Sequence, residues 1–119
     1  MEAKRILIVD DEPHLVKLVK LRLEANGYEV ATALNGLEGL KEAEENHPDL
    51  IIVDVMMPKM DGYTFVKNIR VRDELKAIPI IVLTVKNKLE NLFKAEGVKD
   101  YIVKPFDAEN LLEKVKKYT

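Results

Sequence analysis

Five side chains able to do chemistry stand at the ends of short apolar runs. Asp10 and Asp11 follow Ile6-Leu7-Ile8-Val9, and Asp54 closes Leu50-Ile51-Ile52-Val53-Asp54. Thr84 closes the run that begins at Ile78, and Lys104 follows Tyr101-Ile102-Val103. Crowded carboxylates repel: two unit charges ~4 Å apart cost roughly 4 kcal/mol at an effective dielectric of ~20. Such a cluster must hold a proton or bind a cation. An all-oxygen donor set favours a hard ion, and Mg²⁺ suits a surface site because it keeps several waters and uses few carboxylates. A carboxylate can also attack phosphorus and form an acyl phosphate. Phosphoryl transfer then needs little more than positioning and neutralised oxygens. Lys104 offers a movable positive charge for that purpose, and Thr84 a hydroxyl donor. Taken singly, each of these residues is an ordinary turn former, helix cap or solvated charge; their joint placement is what points to a site.

The elements between them decide whether they can meet. The apolar runs are rich in β-branched residues and too short for solitary helices, so they read as strands buried on both faces of a parallel sheet. After the first run, Pro13 suits the first turn of a helix, and Asp11 or Glu12 there complements the helix dipole. Leu15, Leu18, Val19 and Leu23 recur at helical spacing, and Asn26-Gly27 closes the helix. Tyr28–Ala33 is a weaker, edge-type strand. Asn35-Gly36 opens a helix with Leu37, Leu40 and Ala43 on one face, ended by His47-Pro48-Asp49. Asp61 is a candidate N-cap for a helix burying Phe65, Val66 and Ile69. Leu89, Leu92 and Phe93 mark a short fourth helix closed by Gly97, and Asp107 caps a last helix with Leu111, Leu112 and Val115 inward. Strand and helix alternate five times, which implies parallel strands, right-handed crossovers and helices on both faces of the sheet. In such a sheet ligands bind just beyond the carboxyl ends of the strands. The five polar groups therefore converge on one edge.

Bulk properties bound the function classes. The 119 residues make one expected domain, 47% hydrophobic and 34% charged, with a formal net charge of -2. That balance favours neither nucleic acid nor an anionic membrane as a direct partner. Ile6–Val9 is too short for a signal-peptide core and no run approaches a membrane span, so a cytoplasmic location is the expectation. The absence of Cys excludes disulfides, thiolate catalysis and Cys-ligated metals. Met56, Met57 and Met60 read as loop packing rather than a cofactor site. His14 and His47 read as surface residues outside the site, and Lys114, Lys116 and Lys117 as a solvated helix end that suits the dipole.

Four motifs in order, Val9-Asp10-Asp11-Glu12, Asp54-Val55-Met56-Met57-Pro58-Lys59-Met60-Asp61-Gly62, Leu83-Thr84 and Tyr101-Ile102-Val103-Lys104-Pro105-Phe106, resemble the receiver domain of bacterial two-component response regulators. The resemblance covers essentially the whole chain, residues 1–119. It implies a flavodoxin-like (βα)5 fold with strand order 2-1-3-4-5. It implies that Asp54 accepts a phosphoryl group from a phosphohistidine on a sensor histidine kinase or phosphotransfer protein. It assigns Mg²⁺ to Asp11 directly, Asp10 through water, Asp54 and the Met56 backbone carbonyl. It gives Lys104 the phosphate contact, with a cis Lys104-Pro105 bond, and makes Thr84 and Tyr101 a switch pair. It further implies that the domain catalyses only its own phosphorylation and dephosphorylation. A downstream protein or output domain would read the face made by the fourth helix, fifth strand and fifth helix. Two positions depart from the pattern. Val85 stands where the family usually has a small residue and is expected to narrow access to Asp54. Lys104 follows Thr84 by 20 positions, a shorter step than usual, which places the shortening within Lys86–Glu96.

Two other classes share parts of this arrangement. A small Mg²⁺-dependent phosphatase with an aspartyl nucleophile would carry an acid two residues further on, where this chain has Met56. A flavin-binding module would carry a Ser/Thr/Gly-rich phosphate loop after the first strand, where this chain has Asp-Asp-Glu.

Overall fold

The structure is a computed structural model that describes residues 3–85 and 96–119. Five parallel strands, β1 (Arg5–Val9), β2 (Glu29–Ala33), β3 (Leu50–Asp54), β4 (Ile80–Thr84) and β5 (Asp100–Val103), form one sheet of order β2-β1-β3-β4-β5. Helices α1 (Pro13–Glu24), α2 (Gly36–Asn46), α3 (Gly62–Arg70) and α4 (Ala108–Tyr118) alternate with them. The expected short helix bearing Leu89, Leu92 and Phe93 lies outside the described residues, so α4 is the last helix of the sequence reading.

Side-chain alternation along the strands divides the interior into two cores. Leu7, Val9, Ile51, Val53, Ile80 and Val82 face α2 and α3, where they meet Leu40, Ala43, Phe65 and Ile69. Ile6, Ile8, Leu50, Ile52, Ile81 and Leu83 face the other way, against Val16, Val19 and Leu23 of α1 and Leu111, Leu112 and Val115 of α4. All five residues of the central strand β3 are buried. Complete burial is why these strands read as unbroken apolar runs rather than as alternating patterns.

Helix boundaries follow their local chemistry. The Asn35 side chain accepts from the Glu38 N–H, Asp61 from Thr64 and Asp107 from Glu109. Pro13 sits in the first turn of α1, and Gly27 after α1 takes φ 89°, open to glycine at little cost. His47 ends α2 with φ 44°.

Two helix faces depart from the sequence expectation. Val16, rather than Leu18, joins Val19 and Leu23 in the core, and Leu18 is 66% exposed. Helix α1 carries two overlapping apolar stripes a single residue apart, and the three-residue step Val16–Val19 is the one the sheet covers. In α2 the buried stripe is Gly36, Gly39, Leu40 and Ala43, with Leu37 outside. The reason is close approach. A Cβ at Gly36 would strike Met60, and one at Gly39 would strike Phe65 and Val9. The helix rolls its glycines inward toward β1, Met60 and α3.

Candidate functional site at the strand ends

Every group singled out at a strand end lies at the carboxyl edge of the sheet. Asp54 and Thr84 are the last residues of β3 and β4, and Asp10 and Lys104 come directly after β1 and β5. The in-register pairings Val9↔Val53, Asp54↔Leu83 and Thr84↔Val103 put these ends side by side. Backbone bonds extend the alignment past the strands: the Asp10 N–H donates to Ala33 O at 3.1 Å, the Val55 N–H to Leu83 O at 3.1 Å and the Lys104 N–H to Thr84 O at 2.7 Å. The Lys104-Pro105 bond is cis, as expected. Gly62 closes the loop after Asp54 by donating to Val55 O at 2.8 Å. A Cβ at Gly62 would run into the Asp54 carbonyl, so only glycine lets α3 start this close to β3.

Asp10, Asp11 and Asp54 each offer a carboxylate oxygen within 4.8 Å of the others. Asp10 and Asp54 are buried, while Asp11 is exposed at the rim. The Lys104 side chain is only 11% exposed, and its ammonium reaches Asp10 Oδ2 at 2.9 Å, Asp54 Oδ1 at 3.3 Å and Glu12 Oε1 at 3.7 Å. Lys104 thus faces three carboxylates, and Asp11 adds a fourth negative charge beside them. Asp10 Oδ1 accepts from the Glu12 N–H at 3.0 Å, and the buried Oδ2 has the Lys104 ammonium at 2.9 Å.

The shortage of positive charge appears in the acidities. Burial, and next the Asp10 charge, push the Asp54 carboxyl from 3.8 up to about 6, against the pull of Lys104. Burial likewise raises Asp10 beyond what the Lys104 and Glu12 hydrogen bonds recover. Burial alone would lower Lys104, yet Asp10, Asp54 and Glu12 together raise it. Three carboxylates converging on one point, with more negative charge than Lys104 offsets, fit a hard divalent cation.

Thr84 is buried on the sheet face of Val82, and Tyr101 pairs with Val82 across β4 and β5. Thr84 and Tyr101 are therefore diagonal neighbours on one face, with Tyr101 half-buried against the α2/α3 core. Met57 and Met60 pack on that core as expected, whereas Met56 is 72% exposed and does not. Val85 is 62% exposed and, with Leu15, Pro105 and Phe106, lines an open cleft of about 350 Å³ beside Glu12 and Lys104. Two contributors were not singled out from sequence as part of the site. Glu12, quoted in the first motif but given no role beyond the helix dipole, stands against Lys104. Gly62, the last residue of the second motif, shapes the backbone under Asp54.

A model of the family described as "Response regulator receiver domain" matches residues 6–116. The chain belongs to that family. It is 42% identical over 115 residues to the DNA-binding dual master transcriptional regulator RpaA of Synechocystis, covering 94% of this chain and 47% of that protein. It thus spans about half the length of that relative. Among solved structures it is similar to chemotaxis protein CheY4 of Vibrio cholerae, with 37% identity, a TM-score of 0.93 and coverage of 98% and 99% of the two chains. It is also similar to response regulator TrrA of Thermotoga maritima in complex with Mg²⁺ and a beryllium fluoride (40% identity, TM-score 0.86, coverage 98% and 99%). The chain is a response regulator receiver domain of the two-component type, and the flavodoxin-like fold agrees in strand order.

Proposed function

We propose that Asp54 is the phosphoacceptor of a single receiver domain spanning residues 1–119. Its carboxylate oxygen attacks the phosphorus of a phosphohistidine on a sensor histidine kinase or phosphotransfer protein. An O–P bond forms as the N–P bond breaks, and the leaving imidazole nitrogen takes up a proton. Asp10, Asp11 and Asp54, with the backbone carbonyl of Met56, would hold Mg²⁺, which when bound neutralises phosphoryl oxygens. Lys104 leaves the carboxylates to contact the phosphoryl group, and the Thr84 hydroxyl donates to another of its oxygens. Tyr101, diagonal to Thr84, passes the change to the β5–α4 face, where a downstream protein or output domain reads it. The fourth predicted helix of that face lies outside the described residues. The domain turns over only its own phosphoryl group, works in the cytoplasm and touches neither nucleic acid nor membrane directly.

The observation that carries this reading is the meeting of Asp54 with Asp10, Asp11 and the Lys104 ammonium at one edge. The Mg²⁺ and beryllium fluoride of the TrrA complex support the ligand chemistry. Among the described residues no helix is long and apolar enough to cross a membrane.

The test is incubation with Mg²⁺ and a small acyl phosphate, followed by intact mass. The expected result is one labile phosphoryl adduct, absent in Asp54→Asn and after Mg²⁺ chelation. An adduct that survives in Asp54→Asn overturns the assignment, and steady turnover of a phosphate monoester would make the protein a phosphatase instead.

A further inference from the structure

Arg70, the last residue of α3, lies at the opposite edge of the sheet from the acidic cluster. Its hydrogen bonds among the described residues all go to main-chain carbonyls. Nε donates to Glu96 O at 2.7 Å, Nη1 to Lys76 O at 3.0 Å and Ile78 O at 2.8 Å, and Nη2 to Gly97 O at 3.4 Å. Two of these carbonyls lie on the connection into β4, and two on the connection into β5. Gly97 takes φ 72°, and the atom nearest to a Cβ built there is Arg70 Nε at 4.0 Å. The guanidinium therefore lies over this turn. The same edge is joined by the Lys99 N–H, which donates to Ile80 O at 2.9 Å. A planar guanidinium has five N–H donors in a fixed fork, and an ammonium has three about a point. Only arginine can hold four carbonyls of two segments in this way.

Strand β5 carries Tyr101 and leads to Lys104, and β4 ends at Thr84. A ligand at the carboxyl edge shifts a structure only through contacts that differ between two states. A pull on Thr84 and Lys104 becomes a defined movement of Tyr101 only if the amino end of β5 is fixed. Otherwise the strand slides as a whole and the signal is dissipated at its start.

We propose that Arg70 is a positioning residue for the phosphoryl switch: its four-carbonyl clamp pins the starts of β4 and β5 so that the response to a phosphoryl group stays at Thr84 and Tyr101. This rests on the reading of Asp54 as phosphoacceptor. The clamp acts through β4 and β5 and touches none of the reacting groups.

The test is amide hydrogen exchange of the whole chain in Mg²⁺, with and without beryllofluoride as the phosphoryl mimic. Wild type, Arg70→Met, Arg70→Lys and Arg72→Met are compared. Arg72 is the control because it serves the same helix end but binds Glu44 and Asn68. In wild type, beryllofluoride changes exchange at Asp54–Gly62, Thr84 and Tyr101 and leaves the strand start Val98–Asp100 within twofold. In both Arg70 variants, Val98–Asp100 becomes beryllofluoride-dependent by tenfold or more, and in Arg72→Met it does not. Arg70→Lys keeps the charge and the stem, so it carries the test if Arg70→Met fails to fold. A wild-type pattern in the Arg70 variants, or equal spreading in Arg72→Met, overturns the inference alone. Wild type that does not respond to beryllofluoride anywhere overturns the reading of the site, and this inference with it.

Discussion

Asp54 and Asp100 are carboxylates on strands of one sheet, at opposite edges, and their acidities are displaced in opposite directions. Asp54 shares a single ammonium with Asp10 and Glu12, and Asp11 adds further negative charge. Asp100 has Lys114 at 2.9 Å, the Tyr101 N–H at 2.8 Å and the Tyr118 hydroxyl at 3.1 Å. Burial pushes its carboxyl up as well, but these donors outweigh burial and hold the pKa below the ordinary value. The amino edge is built for stability. The carboxyl edge leaves charge uncompensated, as functional sites do when their partner arrives from outside.

The sign of pH dependence should therefore differ between the two edges. Native Asp54 holds its proton more tightly than the unfolded chain does, so its penalty is absent below pH 4 and fully developed above pH 6. Without metal at pH 7.5, Asp54→Asn should be more stable than wild type by about 1–3 kcal/mol. That gain should vanish near pH 4 and shrink on adding Mg²⁺ to wild type. Denaturant titrations at the two pH values would measure it, and an Asp54→Asn protein no more stable at pH 7.5 would break the contrast.

Asp100 should behave in reverse. Its contribution is present above the unfolded value near 3.8 and is lost as pH falls through the lower folded one. Asp100→Asn should cost about 1 kcal/mol at neutral pH, with the difference closing in acid. Equal cost at pH 7 and pH 3 would show that shape, not charge, holds Lys114 there. The smallest effect belongs to the exposed pair of Arg5 and Glu29, 3.3 Å apart at the amino edge. Glu29→Gln should move the unfolding midpoint by no more than about 0.5 kcal/mol, and less in high salt.

Much of this was legible in the chain because burial writes strands as apolar runs. The alternation of strand and helix, the four convergent polar positions and the caps Asp61 and Asp107 follow from local rules, whereas the strand order was implied by the family resemblance. What escaped has physical causes. Leu18 and Val16 are both apolar and helical spacing admits either, so only the sheet's position decides between them. Lys114 reads as a solvated charge until β5 brings Asp100 to it across α4. Arg70 escaped altogether, because carbonyl acceptors belong to every residue and leave no mark in a sequence.

In each of the four contributing strands the polar group follows directly on an apolar residue: Val9 before Asp10, Val53 before Asp54, Leu83 before Thr84 and Val103 before Lys104. Strand length is thus a ruler. Side chains alternate faces at every residue, so one inserted residue would turn the group over to the opposite side of the sheet. The spacing of the site is counted in peptide units, and each count must be right on all four strands at once.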